Sequence, residues 1–257
     1  MQEQTCGDSV ILLIPGRDPQ AEMLMRCELF QRKLGHWDER ISNVPTHPFV
    51  DVRRAVHHLD MARQECAEAW DMLEGGWKNH KRNPKPVDAS ELVMELVDVA
   101  TFLGNAYGFM AGPADAELVA KAVSYSGSRV SMINLGLDEA WTIGARSWEV
   151  HGKKLRGLYG YHDQSFGEDW VKEVACRVNY LSSKISSAVE AIRTGMEQMP
   201  HTIDDGSFPA GSGFIYIETM PWLYGAVQAI PGIGQREFYS HFIRKADINL
   251  ERQTRGY

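Results

Sequence analysis

The amino-acid sequence predicts an all-α protein, and three observations support this fold class. Apolar residues recur near helical spacing over long segments, and these segments end at glycine or proline. No series of alternating apolar and polar residues with regular turns indicates a β-sheet domain. The chain has 257 residues, of which 44% are apolar, so it can bury a large core without disulfides or a structural metal.

The helices are expected one after another behind an N-terminal arm of residues 1–18, in which residues 8–14 form a short strand or an extended segment. Residues 19–257 are expected to form one domain. Its core would contain the helices within about 50–111 and the C-terminal helices. The predicted helices cover residues 19–35, 50–74, 88–111, 115–125, 133–149, 168–199, 219–229 and 236–253.

Residue types that begin or end helices set these boundaries. Gly35 ends the first predicted helix, and Gly75-Gly76 ends the second. Asp88 is the expected N-cap of the third, and Glu91 three residues later completes a capping-box pattern. The later helices are bounded by Gly112-Pro113, Pro200 and Pro231-Gly232, with Pro221 in a first turn.

The charge balance and the apolar runs argue against two classes of partner. Acidic residues number 34 and basic residues 27, a net charge of −7 without a basic tract, which disfavours binding to a nucleic acid polymer. The apolar runs are shorter than the ~20 residues of a membrane span. Four scattered cysteines without a CxxC pair are typical of free thiols in a reducing cytoplasm. We therefore expect a cytoplasmic protein that binds neither nucleic acid polymers nor membranes.

Two acidic pairs on neighbouring predicted helices form the most informative pattern. Glu65 and Glu68 lie three residues apart, as do Glu95 and Asp98, so each pair projects from one helix face. Twenty-six residues separate Glu68 from Glu95, which is enough for a turn at residues 75–76 and an antiparallel return. Two such helices side by side would bring four carboxylates together.

The second pair lies on a segment that is apolar on nearly all sides, and a buried carboxylate needs a partner. Four adjacent carboxylates repel one another, and a hard divalent cation such as Mg²⁺, or Mn²⁺ in its place, relieves that repulsion. Asn105 continues the stripe of Glu95 and Asp98, whereas Glu91 is explained by capping. The alternative interpretation is that both pairs lie on solvated helix faces, where acidic pairs at this spacing are common.

A second group of polar residues lies on the last predicted helix. Lys245, Asn249 and Arg252 follow one another at i, i+4 and i+7, so they line one helix face. Such a face suits a phosphate chain, with lysine as a point charge and arginine as a planar fork. Tyr257 is placed to stack on a base or a ribose. The alternative is a solvated basic face on a terminal helix with a frayed end.

Five short segments of the chain carry a family resemblance. Residues 65–68 read ECAE, residues 77–81 have the form WKxxK, and residues 95–103 have the form ELVDxxxFL. Residues 245–257 have the form KxxxNxxRxxxGY, and residues 31–34 follow the QxxL of an early QxxLN element. The set resembles the all-α nucleoside triphosphate pyrophosphohydrolases, which include the MazG-like enzymes and the dimeric dUTPases. The closer resemblance is to the dimeric dUTPases.

The resemblance implies a multi-helix bundle of the all-α NTP pyrophosphatase type, a homodimer that hydrolyses dUTP to dUMP and pyrophosphate. It implies Mg²⁺, with Mn²⁺ as a substitute, bound by Glu65, Glu68, Glu95 and Asp98. It also implies a water that Glu65 or Glu68 orients or deprotonates. The substrate contacts that it implies are Gln31, Trp77, Lys78, Lys81, Asn105, Lys245, Asn249, Arg252 and Tyr257.

Two further expectations follow from the same family. Its ligand-free and bound forms differ by domain closure, so the helices at about 115–200 are expected to be mobile, with Gly-rich joints at 152–167 and 205–214. Gly35 stands where the early element carries Asn, in a region that helps to read the base. The first alternative is therefore a purine dNTP pyrophosphohydrolase of MazG-like type, acting on dATP or dGTP. The non-enzyme alternative is a helical protein-binding module that kept the fold and lost the chemistry.

Overall fold

A computed structural model of the chain describes residues 5–6, 9–10, 19–34, 52–73, 86–111, 137–158, 169–198 and 219–255. Helices dominate these ranges, so the predicted all-α class is confirmed. The predicted helix at 115–125 lies outside the described residues. The helices of the described ranges are α1 (Pro19–Lys33), α2 (Val52–Leu73), α3 (Ala89–Ala111), α4 (Leu137–Leu158), α5 (Trp170–Gln198), α6 (219–227) and α7 (Gln235–Thr254).

Two very short strands lie in the predicted N-terminal arm. β1 (Thr5–Cys6) pairs with β2 (Ser9–Val10) as an antiparallel ladder, with Thr5 opposite Val10. The two residues between them in sequence, glycine and aspartate, are types that two-residue hairpin turns favour. Residues 9–10 thus form a strand within the segment 8–14, where the sequence predicted a strand or an extended segment.

Aspartate side chains begin two of the long helices. The Oδ1 atom of Asp88 accepts hydrogen bonds from the backbone N–H groups of Ser90 (2.8 Å) and Glu91 (3.3 Å), which confirms the predicted N-cap of α3. Asp169 begins α5 in the same way, because its Oδ1 atom accepts from the N–H of Val171 at 3.2 Å. Each cap satisfies N–H groups that have no partner within the helix.

Helix α3 is the centre of the bundle and packs against α1, α2 and α7. Its apolar side chains are completely buried on several faces, as the sequence predicted from their distribution. By length and composition, Ala89–Phe109 could cross a membrane, but 67% of that window is buried inside the protein. This burial is typical of a core helix. The side chains of α3 with no exposed surface are Leu92, Val93, Leu96, Val97 and Val99.

Helix α5 packs along α2. Leu181 and Ile185 of α5 are fully buried and belong to the same apolar core as α3. The sequence prediction placed this helix in a mobile part of the domain. The structure shows that this helix packs against the apolar core. The predicted mobility of the helices at about 115–200 stays a prediction.

Helices α4 and α6 approach each other closely at glycines. A Cβ atom at Gly144 would lie 2.4 Å from the carbonyl oxygen of Pro221, and one at Gly225 would lie 2.0 Å from Cδ1 of Trp148. Helix α4 also continues to Leu158, with Gly152 buried, so the Gly-rich joint expected at 152–167 begins as helix. Small residues allow this close packing, which offsets the ~1 kcal/mol cost of glycine within a helix. The second expected joint, residues 205–214, lies outside the described residues.

Candidate metal centre

Helices α2 and α3 lie antiparallel, which is the arrangement that the acidic spacing predicted. The His58 ring, early in α2, stacks on Phe102 and Phe109, late in α3, with ring centroids 5.8 and 5.2 Å apart. Glu65, two turns further along α2, meets Glu95 and Asp98, which come earlier in α3. Positions further along α2 therefore contact earlier positions in α3, so the two helices run in opposite directions.

Three of the four predicted carboxylates converge between these helices. One oxygen atom from each of Glu65, Glu95 and Asp98 lies within 4.8 Å of the others, and all three side chains are half-buried. Carboxylate oxygens at this spacing are the donor set that hard divalent cations take in proteins. Within the described residues the set contains no thiol or imidazole, so its chemistry fits Mg²⁺ or Mn²⁺.

The electrostatics of the three carboxylates are those of a crowded site. Burial raises the pKa of Glu65 to about 7, and the charges of Asp98, Glu68 and Glu95 add to this increase. Burial also raises the pKa of Glu95 and that of Asp98. A hydrogen bond with Glu65 acts in the opposite direction on the pKa of Glu95.

Lys245 of α7 brings a positive charge to these carboxylates. Its ammonium group donates hydrogen bonds to Oδ2 of Asp98 and, at 3.2 Å, to the backbone carbonyl of Met94. The side chains of Lys245 and Asp98 are each only 20% exposed. Burial is the largest single effect on the pKa of Asp98 and raises it, and the ammonium opposes burial by lowering that pKa.

Glu68 lies apart from the other three carboxylates. Its side chain is exposed, and it is not part of the set that lies within 4.8 Å. Its charge still raises the pKa of each member of that set, so it lies beside them. The structure therefore brings three predicted ligands together and leaves the fourth at the solvent side.

The remaining predicted residues divide into three groups. Asn249 is half-buried and Arg252 is exposed on the same helix as Lys245. Gln31 of α1 and Asn105 of α3 are buried, at 2% and 3% exposure, and Oδ1 of Asn105 makes no hydrogen bond with the described residues. The predicted contacts that lie outside the described residues are Trp77, Lys78, Lys81 and Tyr257.

Two contacts that position this site were not predicted from the sequence. The carbonyl of Met94 accepts from Lys245, and backbone acceptors carry no signature in the sequence. Arg26 of α1 donates to Glu22 within its own helix at 3.0 Å and also to Asp247 of α7. The ion pair between Arg26 and Asp247 connects α1 to the helix that carries Lys245. The sequence shows charged residues in α1 and α7, but the pairing of Arg26 with Asp247 depends on how the two helices pack.

Cys66 directly follows Glu65 in sequence, but its thiol is not suited to be a ligand of this site. The Cys66 side chain is 1% exposed, and burial raises the pKa of its thiol far above the usual value. A thiol must lose its proton to bind a metal, and burial opposes that loss. Cys66 is a free, buried cysteine of the apolar core.

The site is a carboxylate centre between antiparallel helices with one lysine as its counter-ion. The chain matches no protein-family model, no curated protein and no solved structure. The resemblance to the all-α pyrophosphohydrolases therefore stays a prediction from sequence motifs, and function is inferred from the chemistry of the site.

Proposed function

We propose that the protein is a Mg²⁺-dependent nucleoside triphosphate pyrophosphohydrolase that converts dUTP to dUMP and pyrophosphate. One observation carries the proposal. Carboxylates from α2 and α3 converge within 4.8 Å, and Lys245 of α7 reaches the same site. A cluster of hard anionic donors beside a cationic side chain suits a ligand that is itself a complex of a divalent cation with phosphates.

The polar face of α7 supports phosphate as the anionic part of the ligand. Lys245 contacts Asp98, and Asn249 and Arg252 follow it at i+4 and i+7 on the same helix. Because α7 packs against α3, this face begins at the carboxylates and continues toward solvent, where Arg252 is exposed. A phosphate chain lying along the helix would meet Lys245 first and Arg252 last.

The carboxylates would also handle the proton of the reaction. Hydrolysis adds one water across the bond between the α- and β-phosphates, so a proton must leave that water. The carboxylate of Glu65 or that of the exposed Glu68 would accept that proton. The chemistry that Mg²⁺ supplies when bound is polarisation of the phosphate oxygens. Positioning and charge neutralisation account for most of the rate increase in phosphoryl transfer.

The buried amides support a nucleobase as the other end of the ligand. Oδ1 of Asn105 has no hydrogen bond with the described residues, and Asn105 lies on the helix that carries Glu95 and Asp98. An N–H group of a base can satisfy such an acceptor. Uracil offers N3–H and adenine offers its amino group, so this acceptor does not distinguish the two bases. The purine alternative is therefore kept, and Gly35 at the early element supports it. The proposal includes the predicted cytoplasmic location and homodimeric state.

The proposal is tested by measuring pyrophosphate release from dUTP, dCTP, dTTP, dATP and dGTP, with and without Mg²⁺. We expect Mg²⁺-dependent release that is fastest with dUTP. Faster release from dATP or dGTP would replace the dUTP assignment with the purine alternative. If no nucleotide is hydrolysed at any Mg²⁺ or Mn²⁺ concentration, the enzyme proposal is wrong and the protein-binding module becomes the better interpretation.

A pair of variants connects the activity to the site. Glu95→Gln removes a charge from the cluster, whereas Glu190→Gln makes the same change at an exposed position of α5. We expect Glu95→Gln to lower turnover by orders of magnitude with an unchanged helical circular dichroism spectrum. Glu190→Gln should retain normal turnover. Equal turnover in the two variants would show that the cluster is not the active site.

A further inference from the structure

We infer that Lys245 is an internal counter-cation that competes with the divalent metal ion for Asp98 and moves to the anionic ligand once the ion binds. The inference rests on the metal-binding part of the proposed function. It assigns Lys245 a second role, because the sequence pattern predicted only a phosphate contact. The consequence is that removal of this lysine should strengthen metal binding and weaken phosphate binding.

The position of the ammonium group carries the inference. It donates to a carboxylate oxygen of Asp98 and to the carbonyl oxygen of Met94, so it is bound to two oxygen atoms of α3. Met94 precedes Asp98 by one helical turn, so the ammonium lies against one turn of α3 beside the cluster. Asp98 is thus both a member of the three-carboxylate set and the partner of Lys245.

A divalent ion and an ammonium group cannot both be accommodated at Asp98 without repulsion. Like charges a few ångströms apart in a half-buried site interact strongly because the effective dielectric constant there is far below that of water. The carboxylate oxygen that accepts from Lys245 is also withdrawn from the donor set of an incoming ion. Binding of the ion therefore requires the ammonium to move away or to lose part of its interaction with Asp98.

Lysine is suited to such a move because its charge is compact and its stem is flexible. The three exposed arginines on the same helix, Arg236, Arg244 and Arg252, do not occupy this position. Release of the ammonium from Asp98 would leave it beside the cation, where a bridging phosphate needs a positive partner. Binding of the metal ion and binding of the phosphates would then each strengthen the other.

The first experiment measures Mn²⁺ binding without nucleotide at pH 8 by electron paramagnetic resonance, for the wild type and two variants. Lys245→Met keeps the aliphatic stem and removes the charge, and Arg244→Met removes one charge from the exposed neighbour. We expect Lys245→Met to bind Mn²⁺ about tenfold more tightly than the wild type. Arg244→Met should remain within about twofold of the wild type. Equal or weaker Mn²⁺ binding by Lys245→Met than by Arg244→Met would overturn the inference.

A second readout separates competition from a purely structural role of the lysine. Pyrophosphate binding in saturating Mn²⁺ should be weaker in Lys245→Met by about tenfold, the opposite direction to its effect on Mn²⁺ alone. A variant that is merely misfolded would weaken both. Stronger binding of both ligands, or weaker binding of both, would contradict the inference.

A third measurement uses the wild type alone, so it does not depend on the folding of a variant. Limited acetylation followed by peptide mass spectrometry reports the reactivity of the Lys245 amine. We expect faster acetylation in Mg²⁺ than in metal-free buffer because the amine loses its partner Asp98. An unchanged or lower rate in Mg²⁺ would overturn the inference.

The same experiments distinguish this inference from the proposed function. Absence of Mn²⁺ binding by the wild type would overturn both, because the metal site itself would be wrong. Tighter Mn²⁺ binding by Lys245→Met, together with no hydrolysis of any nucleotide, would support the lysine's role and overturn the proposed activity alone.

Discussion

Lowering the pH from 8 to 5 should weaken divalent-cation binding by about 100-fold, and the magnitude follows from Glu65. Burial and three neighbouring carboxylates raise the pKa of Glu65 from 4.5 to about 7. A carboxyl group with that pKa is about 1% ionised at pH 5 and about 90% ionised at pH 8. Because a bound ion displaces the proton, the apparent affinity follows the ionised fraction. With the ordinary pKa of 4.5, the group would be about three quarters ionised at pH 5 and the affinity would barely change.

The assay is an Mn²⁺ titration at pH 5, 6, 7 and 8 with the wild type and with Glu65→Gln. We expect the dependence on pH to be shallower in Glu65→Gln, because that variant has one carboxyl group fewer to deprotonate. The exposed-site variant Glu190→Gln serves as the matched control and should follow the wild type. An affinity that changes less than about threefold between pH 5 and pH 8 in the wild type would refute the reasoning.

Three further predictions concern stability. The raised pKa of Glu65 means that the folded protein binds a proton more tightly than the unfolded chain, so this stabilisation is lost as pH rises through about 7. Without metal, the wild type should therefore lose more Tm between pH 5 and pH 8 than Glu65→Gln, and Mg²⁺ should restore Tm at pH 8, as measured by differential scanning fluorimetry. Asp88→Ala should lower the free energy of unfolding by ~1 kcal/mol in urea titrations, because α3 loses its cap; an unchanged midpoint would contradict this. A Cβ at Gly104 would lie 2.8 Å from Sγ of Cys27, so Gly104→Val should cost ~1–3 kcal/mol, and Cys27→Ala should recover part of it in the double variant.

The helices of this fold could be predicted from the sequence because their signals are local. Asp88 occupies the N-cap where a side-chain oxygen is needed, and its hydrogen bonds to Ser90 and Glu91 were implied by position alone. The extension of α4 to Leu158 was missed, because glycine lowers the local helix preference there. Tertiary packing supplied what local preference lacked, since Gly152 in the extension is buried.

The candidate site could be predicted only in part, for a geometric reason. Residues at i and i+3 of a helix share a face, but the second is rotated about 60° from the first and displaced by about 4.5 Å. The spacing therefore fixes a shared face without fixing which residues meet the neighbouring helix: Glu95 and Asp98 both join the cluster, whereas Glu68 is exposed although Glu65 belongs to it. The partnership of Lys245 with Asp98 joins residues 147 positions apart and depends on how α7 docks on α3, which no spacing rule contains.

The central claim is that the carboxylate centre directs hydrolysis of dUTP to dUMP and pyrophosphate. The most direct measurement is ³¹P nuclear magnetic resonance of dUTP incubated with the wild type and Mg²⁺, with Asp98→Asn as the site variant. A pyrophosphate signal should appear with the wild type and should be lower by orders of magnitude with Asp98→Asn. Unchanged dUTP with the folded wild type, or release of orthophosphate in place of pyrophosphate, would contradict it.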